Sequence, residues 1–163
     1  KQMAGTLRQS VANTLRRKGG ERFWVKKTLT SSAITTTAQD LTTVATNGEL
    51  AVLNVILKTD ATGLAGGTNF VVSTTNAKGV ANLAVETVAN LGANVSKMGG
   101  TAPAGDTTTS DGGYTVTQAF PTVLEAGKKL QYSTTSTNGS GAGTVDVYVQ
   151  FERLTENAQL TNA

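Results

Sequence analysis

The spacing of hydrophobic residues changes character once, at Gly19-Gly20. Before that point Met3, Leu7, Val11 and Leu15 recur in steps of four, which lays a narrow apolar stripe along one side of a helix over residues 1–18. Arg16, Arg17 and Lys18 close this stretch, where cations complement the negative end of the helix dipole, and the two glycines supply a left-handed stop. One stripe of four residues is too little to hold a lone helix of this length in water, so the arm has to dock on something or fray.

After the glycines the apolar residues come in short runs broken by turn residues. Residues 23–30 read as a first strand and 40–46 as a weaker second. Leu50-Ala51-Val52-Leu53 and Val55-Ile56-Leu57 form a nearly continuous apolar run over 49–59, as in a central strand covered on both faces. Asn47-Gly48 before it is a turn pair. Residues 60–67 predict a loop and 68–75 a strand around Phe70-Val71-Val72. Residues 80–91 fit a helical face and a strand alternation almost equally, with context favouring strand. The longest predicted loop is 99–113, and strands resume at 114–119 and 129–135. The clearest alternation is the last: Val145, Val147, Val149 and Phe151 on one side, Asp146, Tyr148, Gln150 and Glu152 on the other, a half-buried antiparallel strand over 144–154.

Turns at roughly ten-residue spacing predict a mainly β chain folded as an antiparallel β-sandwich, jelly-roll-like, with a short basic amphipathic helix or arm at its N-terminus. The expected units are the arm at 1–22, the sandwich at 23–154 and a loose polar tail at 155–163. Composition agrees. Threonine is abundant in runs such as Thr35-Thr36-Thr37 and Thr107-Thr108-Thr109, and a β-branched residue with a hydroxyl suits the wet face of a pleated sheet.

Charge divides the chain. Residues 1–27 carry eight basic groups against one acid, or +7, and the rest six against ten, or −4, which together give the net +3. Three docking modes suit such an arm: its own domain or a sister subunit, a larger assembly with an acidic surface, and a polyanion, where counterion release favours nucleic acid whatever its sequence. A membrane suits it least, because the stripe lacks Trp and Phe. The start has no unbroken apolar leader, and no later stretch reaches the length of a membrane span.

The chain contains no Cys and no His. That removes disulfides, thiol nucleophiles, Ser-His-Asp triads and His- or Cys-liganded metal centres. The remaining candidates for chemistry weaken when placed in context. Gly139-Ser140-Gly141-Ala142-Gly143 lies between two strands, where a phosphate-binding loop should open a helix; it reads as a hairpin connection. Gly127-Lys128-Lys129 lacks the upstream Gly of a P-loop, Thr122 standing in its place. Asp106 and Asp111 gather oxygens in the long loop, but at a spacing that fits no calcium loop, and nothing near them would raise one carboxyl for glycosidase chemistry. Trp24, Tyr114, Tyr132 and Tyr148 offer a stacking platform for a sugar or base; the ordinary reading makes Trp24 core and the tyrosines sheet surface. Asn94-Val95-Ser96 and Asn138-Gly139-Ser140 match the glycosylation triplet, a pattern too short to imply secretion. The residues therefore predict no catalysis, no cofactor and no metal.

The segments Thr62-Gly63-Leu64-Ala65-Gly66-Gly67-Thr68-Asn69-Phe70, Val123-Leu124-Glu125-Ala126-Gly127-Lys128-Lys129-Leu130-Gln131-Tyr132 and Gly143-Thr144-Val145-Asp146-Val147-Tyr148-Val149 resemble in texture the jelly-roll virion proteins of tailed bacteriophages, of the capsid decoration (cement) or fibre-base type. The resemblance spans about residues 23–154. It implies a non-enzymatic virion component that binds the assembled shell, with the major capsid protein or other virion subunits as partners and a homo-oligomer, a trimer by preference, as its form. The arm residues Met3, Leu7, Arg8, Val11, Leu15, Arg16, Arg17 and Lys18 would then make the partner contacts. Two other readings stay open: a carbohydrate-binding or adhesin module working through loop 99–113 and exposed tyrosines, and a coat protein whose arm tethers nucleic acid, for which the arm's charge is modest.

Overall fold

The computed structural model describes residues 20–98 and 120–160. In chain order the strands are β1 (Arg22–Thr30), β2 (Gln39–Asp40), β3 (Ala45–Thr46), β4 (Leu50–Thr59), β5 (Ala65–Gly66), β6 (Asn69–Thr74), β7 (Asn82–Thr87), β8 (Ser96–Met98), β9 (Thr122–Leu124), β10 (Leu130–Thr134), β11 (Gly139–Ser140), β12 (Thr144–Arg153) and β13 (Gln159–Leu160). Helix among the described residues is confined to two 3-10 turns, Ser31–Ala33 and Val88–Asn90. The helix expected over 1–18, the loop at 99–113 and the strand at 114–119 lie outside the described residues.

The alternation in the last long strand sets the architecture. Val145, Val147, Val149 and Phe151 are buried while their neighbours face outward. That strand pairs with β1 over nine residues, Arg22 opposite Glu152 through Thr30 opposite Thr144, and on its other side with β4. The far edge of β4 carries two short strands end to end: β8 against Ile56–Lys58 and β9 against Leu50–Val52. A second antiparallel sheet runs β2-β10-β6-β7. Lys27 joins the sheets at one side, its Nζ donating to Asp40 O at 2.6 Å and lying 5.6 Å from the Tyr132 ring centre, so β1 lies over β2. One continuous apolar cluster fills the space between, with Phe70, Phe151, Leu50, Leu57 and Leu130 fully buried.

A bulge in β4 sits where Gln150 opposes Asn54 and Phe151 opposes Val52, leaving Leu53 as the extra residue. It lies level with the gap between β8 and β9. Met98 and Thr122 are therefore the inner ends of two halves of one strand line, at the middle of a sheet edge.

Hydroxyl groups stitch the loops. Ser31 Oγ donates to Ala65 O at 2.8 Å and accepts from Ala65 N at 3.0 Å, and Thr75 Oγ1 does the same with Lys129, at 3.1 and 3.0 Å. Thr59 Oγ1 donates to Gly92 O and accepts from Val95 N at 2.9 Å. A hydroxyl has one donor and two acceptor lone pairs, so it can replace a peptide group in a ladder. Threonine is thus not confined to the wet sheet face: Thr28, Thr30 and Thr87 are exposed there as expected, but Thr42, Thr59, Thr74, Thr122 and Thr134 are buried.

Other expectations need correction. The strand foreseen at 40–46 is two separate pairs, because Leu41 and Thr42 turn inward and Leu41 N and Thr42 N both donate to Leu130 O. The tail is not loose through residue 160: Gln159 and Leu160 pair with Thr46 and Ala45, and Ala158 is fully buried. The glycine run is no hairpin, since β10 and β12 belong to different sheets; it crosses between them and pairs at Gly139–Ser140 with Ala65–Gly66. The ambiguous 80–91 stretch is strand and then a 3-10 turn.

Candidate interaction face

The two outer faces of the sandwich differ. On the β2-β10-β6-β7 sheet the outward positions are small or polar, among them Gln131, Ser133, Val71 and Ser73. On the five-stranded sheet, register places Lys26, Tyr148, Ile56 and Met98 in one row across four strands, Trp24, Gln150 and Asn54 in the next, and Arg22, Glu152, Ala51 and Val123 beyond. Trp24 is 49% exposed, Met98 55% and Val123 41%. This overturns the expectation that Trp24 is core. Period two decides its side: Phe23 and Val25 face inward, where Phe23 stacks on Phe151 with ring centres 5.4 Å apart, so Trp24 must face out. Tyr132 errs the other way. It is buried on the inner face beside Phe70, and burial pushes its phenol upward. Tyr148 is half-buried on the outer face, as the alternation predicts, and Tyr114 lies outside the described residues.

Charged residues frame the aromatic pair. Lys26 Nζ sits 2.8 Å from Asp146 Oδ2 and 5.5 Å from the Tyr148 ring centre, and Thr28 Oγ1 donates to Asp146 Oδ1 at 2.6 Å. The Lys26 hydrogen bond holds the Asp146 carboxyl below its ordinary range and raises Lys26 in turn. Arg22 Nε pairs with Glu152 at 2.7 Å. These exposed pairs contribute little to stability; their effect is to orient side chains on the face. Covering the open half of Trp24 removes roughly 100 Å² of apolar surface, about 2–3 kcal/mol. Half-exposed tryptophans of this kind are frequent anchors of protein interfaces.

The first strand is also a sheet edge. Arg153 N donates to Glu21 O and Ser31 N to Gly143 O, so by antiparallel alternation the backbone groups of Arg22, Trp24, Lys26 and Thr28 point away from β12. Among the described residues no strand pairs with that side.

Other polar features are structural fittings. A bowl of about 450 Å³ near Glu49, Asn76, Lys78 and Glu125 is framed by Glu125, which accepts from Ala77 N and Lys78 N, and by Asn76 Nδ2, which donates to Val123 O. Glu86, buried at the inner edge of β7, accepts from Thr87 N and Asn90 Nδ2 at 2.8 Å each. Among the described residues no group of three acidic side chains is placed to hold a metal ion. No described helix is long and apolar enough to cross a membrane. The predicted arm contacts Met3, Leu7, Arg8, Val11, Leu15, Arg16, Arg17 and Lys18, and the acid pair Asp106 and Asp111, lie outside the described residues. The sequence named Trp24 and Tyr148 as a stacking platform but favoured core for Trp24; the alternation within residues 22–30 was the signal for its outward side.

No family model matches the chain, and no curated protein matches it. Among solved structures it is similar to a chain of the "Cyanophage Pam1 capsid asymmetric unit", with a TM-score of 0.46 and 18% identity over 83% of this chain and 86% of that one.

Proposed function

We propose that the protein is a structural component of a bacteriophage virion, a capsid decoration or stabilising protein that binds the assembled shell and neighbouring copies of itself. The observation that carries this reading is the strand order, β1-β12-β4-β8/β9 in one sheet and β2-β10-β6-β7 in the other. Two four-membered strand orders of this kind support a jelly-roll reading, a fold used by viral capsid and lectin domains. The Trp24 face supports an assembly role, because it is a broad pleated surface that carries a half-exposed tryptophan. The protein works without catalysis or cofactor, as a homo-oligomer with a trimer preferred.

Native mass by light scattering tests it. A stable trimer or other closed ring supports assembly, and Trp24→Ser should weaken self-association at least about tenfold, about 1.4 kcal/mol, if that face is the contact. A chain that is monomeric at every concentration and indifferent to Trp24→Ser overturns the reading. Exposed Trp24 and Tyr148 give a specific ground for a second one, a carbohydrate-binding module; binding on a glycan array that Trp24→Ser abolishes would favour it.

A further inference from the structure

We infer that copies of this protein join head to tail, the Trp24 side chain of one copy seating in the bowl of about 450 Å³ at the opposite edge of the next. The inference rests on the reading that copies bind one another through the Trp24 face, and it names the surface that receives that face.

The bowl combines apolar and acidic groups. Val80, Pro121 and Val123 line it beside Glu49, Lys78 and Glu125. Val80 is 69% exposed and Val123 41%, so two of the large apolar side chains left uncovered on the described surface share one hollow. A single exposed valine is ordinary; two in one concavity, with polar groups around them, have the composition of a binding pocket.

Its walls are in place before a partner arrives. Asn76 Nδ2 donates to Val123 O at 2.6 Å, Glu125 N donates to Asn76 Oδ1 at 3.1 Å, and Ala77 N donates to Glu125 Oε2 at 3.0 Å. These bonds tie the turn between β6 and β7 to β9, and so one sheet to the other. A preformed hollow avoids the ordering cost that a loose one would add to binding.

Size and charge suit a tryptophan carried on a basic strand. Pockets that enclose a whole small ligand start at about 300 Å³, so this one admits an indole and part of its surroundings. Arg22 and Lys26 flank Trp24 on the outer side of β1, a strand without an acid, while the bowl sets Glu49 and Glu125 against Lys78. Tryptophan and arginine are the residues most enriched among interface anchors, and such anchors fill pockets.

Topology makes the contact head to tail. In the five-stranded sheet β12 and β4 separate β1 from β9, which puts Trp24 and the bowl about 14 Å apart at the usual strand spacing. They cannot meet within one copy. Each copy therefore offers a knob to one neighbour and a bowl to another, a heterologous contact that closes into a ring when the rotation allows. Two Trp24 faces packed on each other would instead stop at a dimer.

Val80→Glu tests the bowl without touching the knob. Val80 lies outside the strands and is mostly exposed, so the variant should keep its far-UV β signal. Trp24 is the chain's one tryptophan; in the unmodified protein its emission should move to the blue, and its quenching by acrylamide fall, as concentration rises. Val80→Glu should weaken self-association at least about tenfold and leave Trp24 quenchable at concentrations that protect it in the unmodified protein. Trp24→Ser keeps the bowl and lacks the knob. Mixed in equal amounts, the two variants should sediment as one-to-one dimers that neither forms alone. Normal assembly of Val80→Glu beside failed assembly of Trp24→Ser would overturn the inference while leaving the Trp24 face as a contact, and a mixture that stays monomeric would do the same. An unmodified protein that is monomeric at every concentration would remove the underlying reading as well.

Discussion

Asp60 and Thr144 clasp each other at the junction of the two longest strands. Asp60 Oδ2 accepts from both the backbone N–H of Thr144 at 3.0 Å and its Oγ1 at 2.9 Å, and Asp60 N donates back to Thr144 O at 3.1 Å. The other carboxylate oxygen accepts from Gly63 N at 2.8 Å and Thr62 N at 2.9 Å. With donors on both oxygens, the charged form is favoured and the carboxyl titrates below its ordinary value, the Gly63 bond contributing most.

The pH consequence follows from that direction. A carboxyl lowered in the fold stabilises it above the unfolded pKa and loses that contribution as pH falls through the folded one. Asp40, held down first by Lys129 and then Gln131, and Asp146, held down by Lys26, act in the same sense. Thermal stability should therefore be flat near neutrality and drop below about pH 4. Asp60→Asn should flatten part of that acid slope, which melting curves recorded across pH will show.

Gly143→Ala should be among the most damaging single-methyl additions in the chain. A Cβ at this position would stand 1.6 Å from Gly63 O, a backbone atom that cannot step aside without moving the loop tied to Asp60. Gly63 is itself packed tightly against a different neighbour, since its own Cβ would lie 2.3 Å from Gly92 C, at a φ of 76°. Overpacking of this kind costs typically about 1–3 kcal/mol. Denaturant unfolding should place Gly143→Ala at or beyond that range, and Gly141→Ala, at a site with only one loose neighbour at 3.9 Å, well below it apart from its φ penalty.

The glycine run illustrates what the sequence could and could not convey. Its placement between strands was legible, as were β1, β4, β6, β10 and β12, because each carries a period of two or a dense apolar run. The reason for the glycines was not, because close approach of Gly143 to Gly63 and of Gly139 to Ser31 O is a tertiary fact. Strands of two or three residues, such as Ser96–Met98 and Thr122–Leu124, are too short to show a period; only the edge of β4 makes them strands. Trp24 was legible in principle. Its size pointed inward, but its parity with Phe23 and Val25 pointed outward, and parity won because Phe23 had already claimed the inner position against Phe151.

Ser31→Ala should cost about 1–3 kcal/mol, far more than a surface serine. Ser31 is 1% exposed, and its hydroxyl serves both the N–H and the C=O of Ala65. Removing it takes one partner from each of two backbone groups at a part-buried site, whereas Ser32→Ala, one residue on and exposed, should be close to neutral. Chemical denaturation of the pair will separate a clasp from a mere loop residue.

Lys27→Val should leave the fold nearly as stable and make the protein sticky. Lys27 points inward at the edge of the sandwich, its ammonium on Asp40 O and beside Tyr132, and inward-pointing charges on edge strands discourage pairing with other chains. With the charge replaced by an apolar side chain between Val25 and Leu29, β1 would carry an uninterrupted apolar inner side from Phe23 onward, next to an open row of backbone donors and acceptors. The lost hydrogen bond is near the rim, so stability should change by no more than about 1 kcal/mol. Light scattering at increasing concentration should show species larger than the native one growing in the variant, and Lys27→Arg, which keeps the charge, should not show them. If the valine substitution leaves the scattering unchanged, this charge is not what protects the edge.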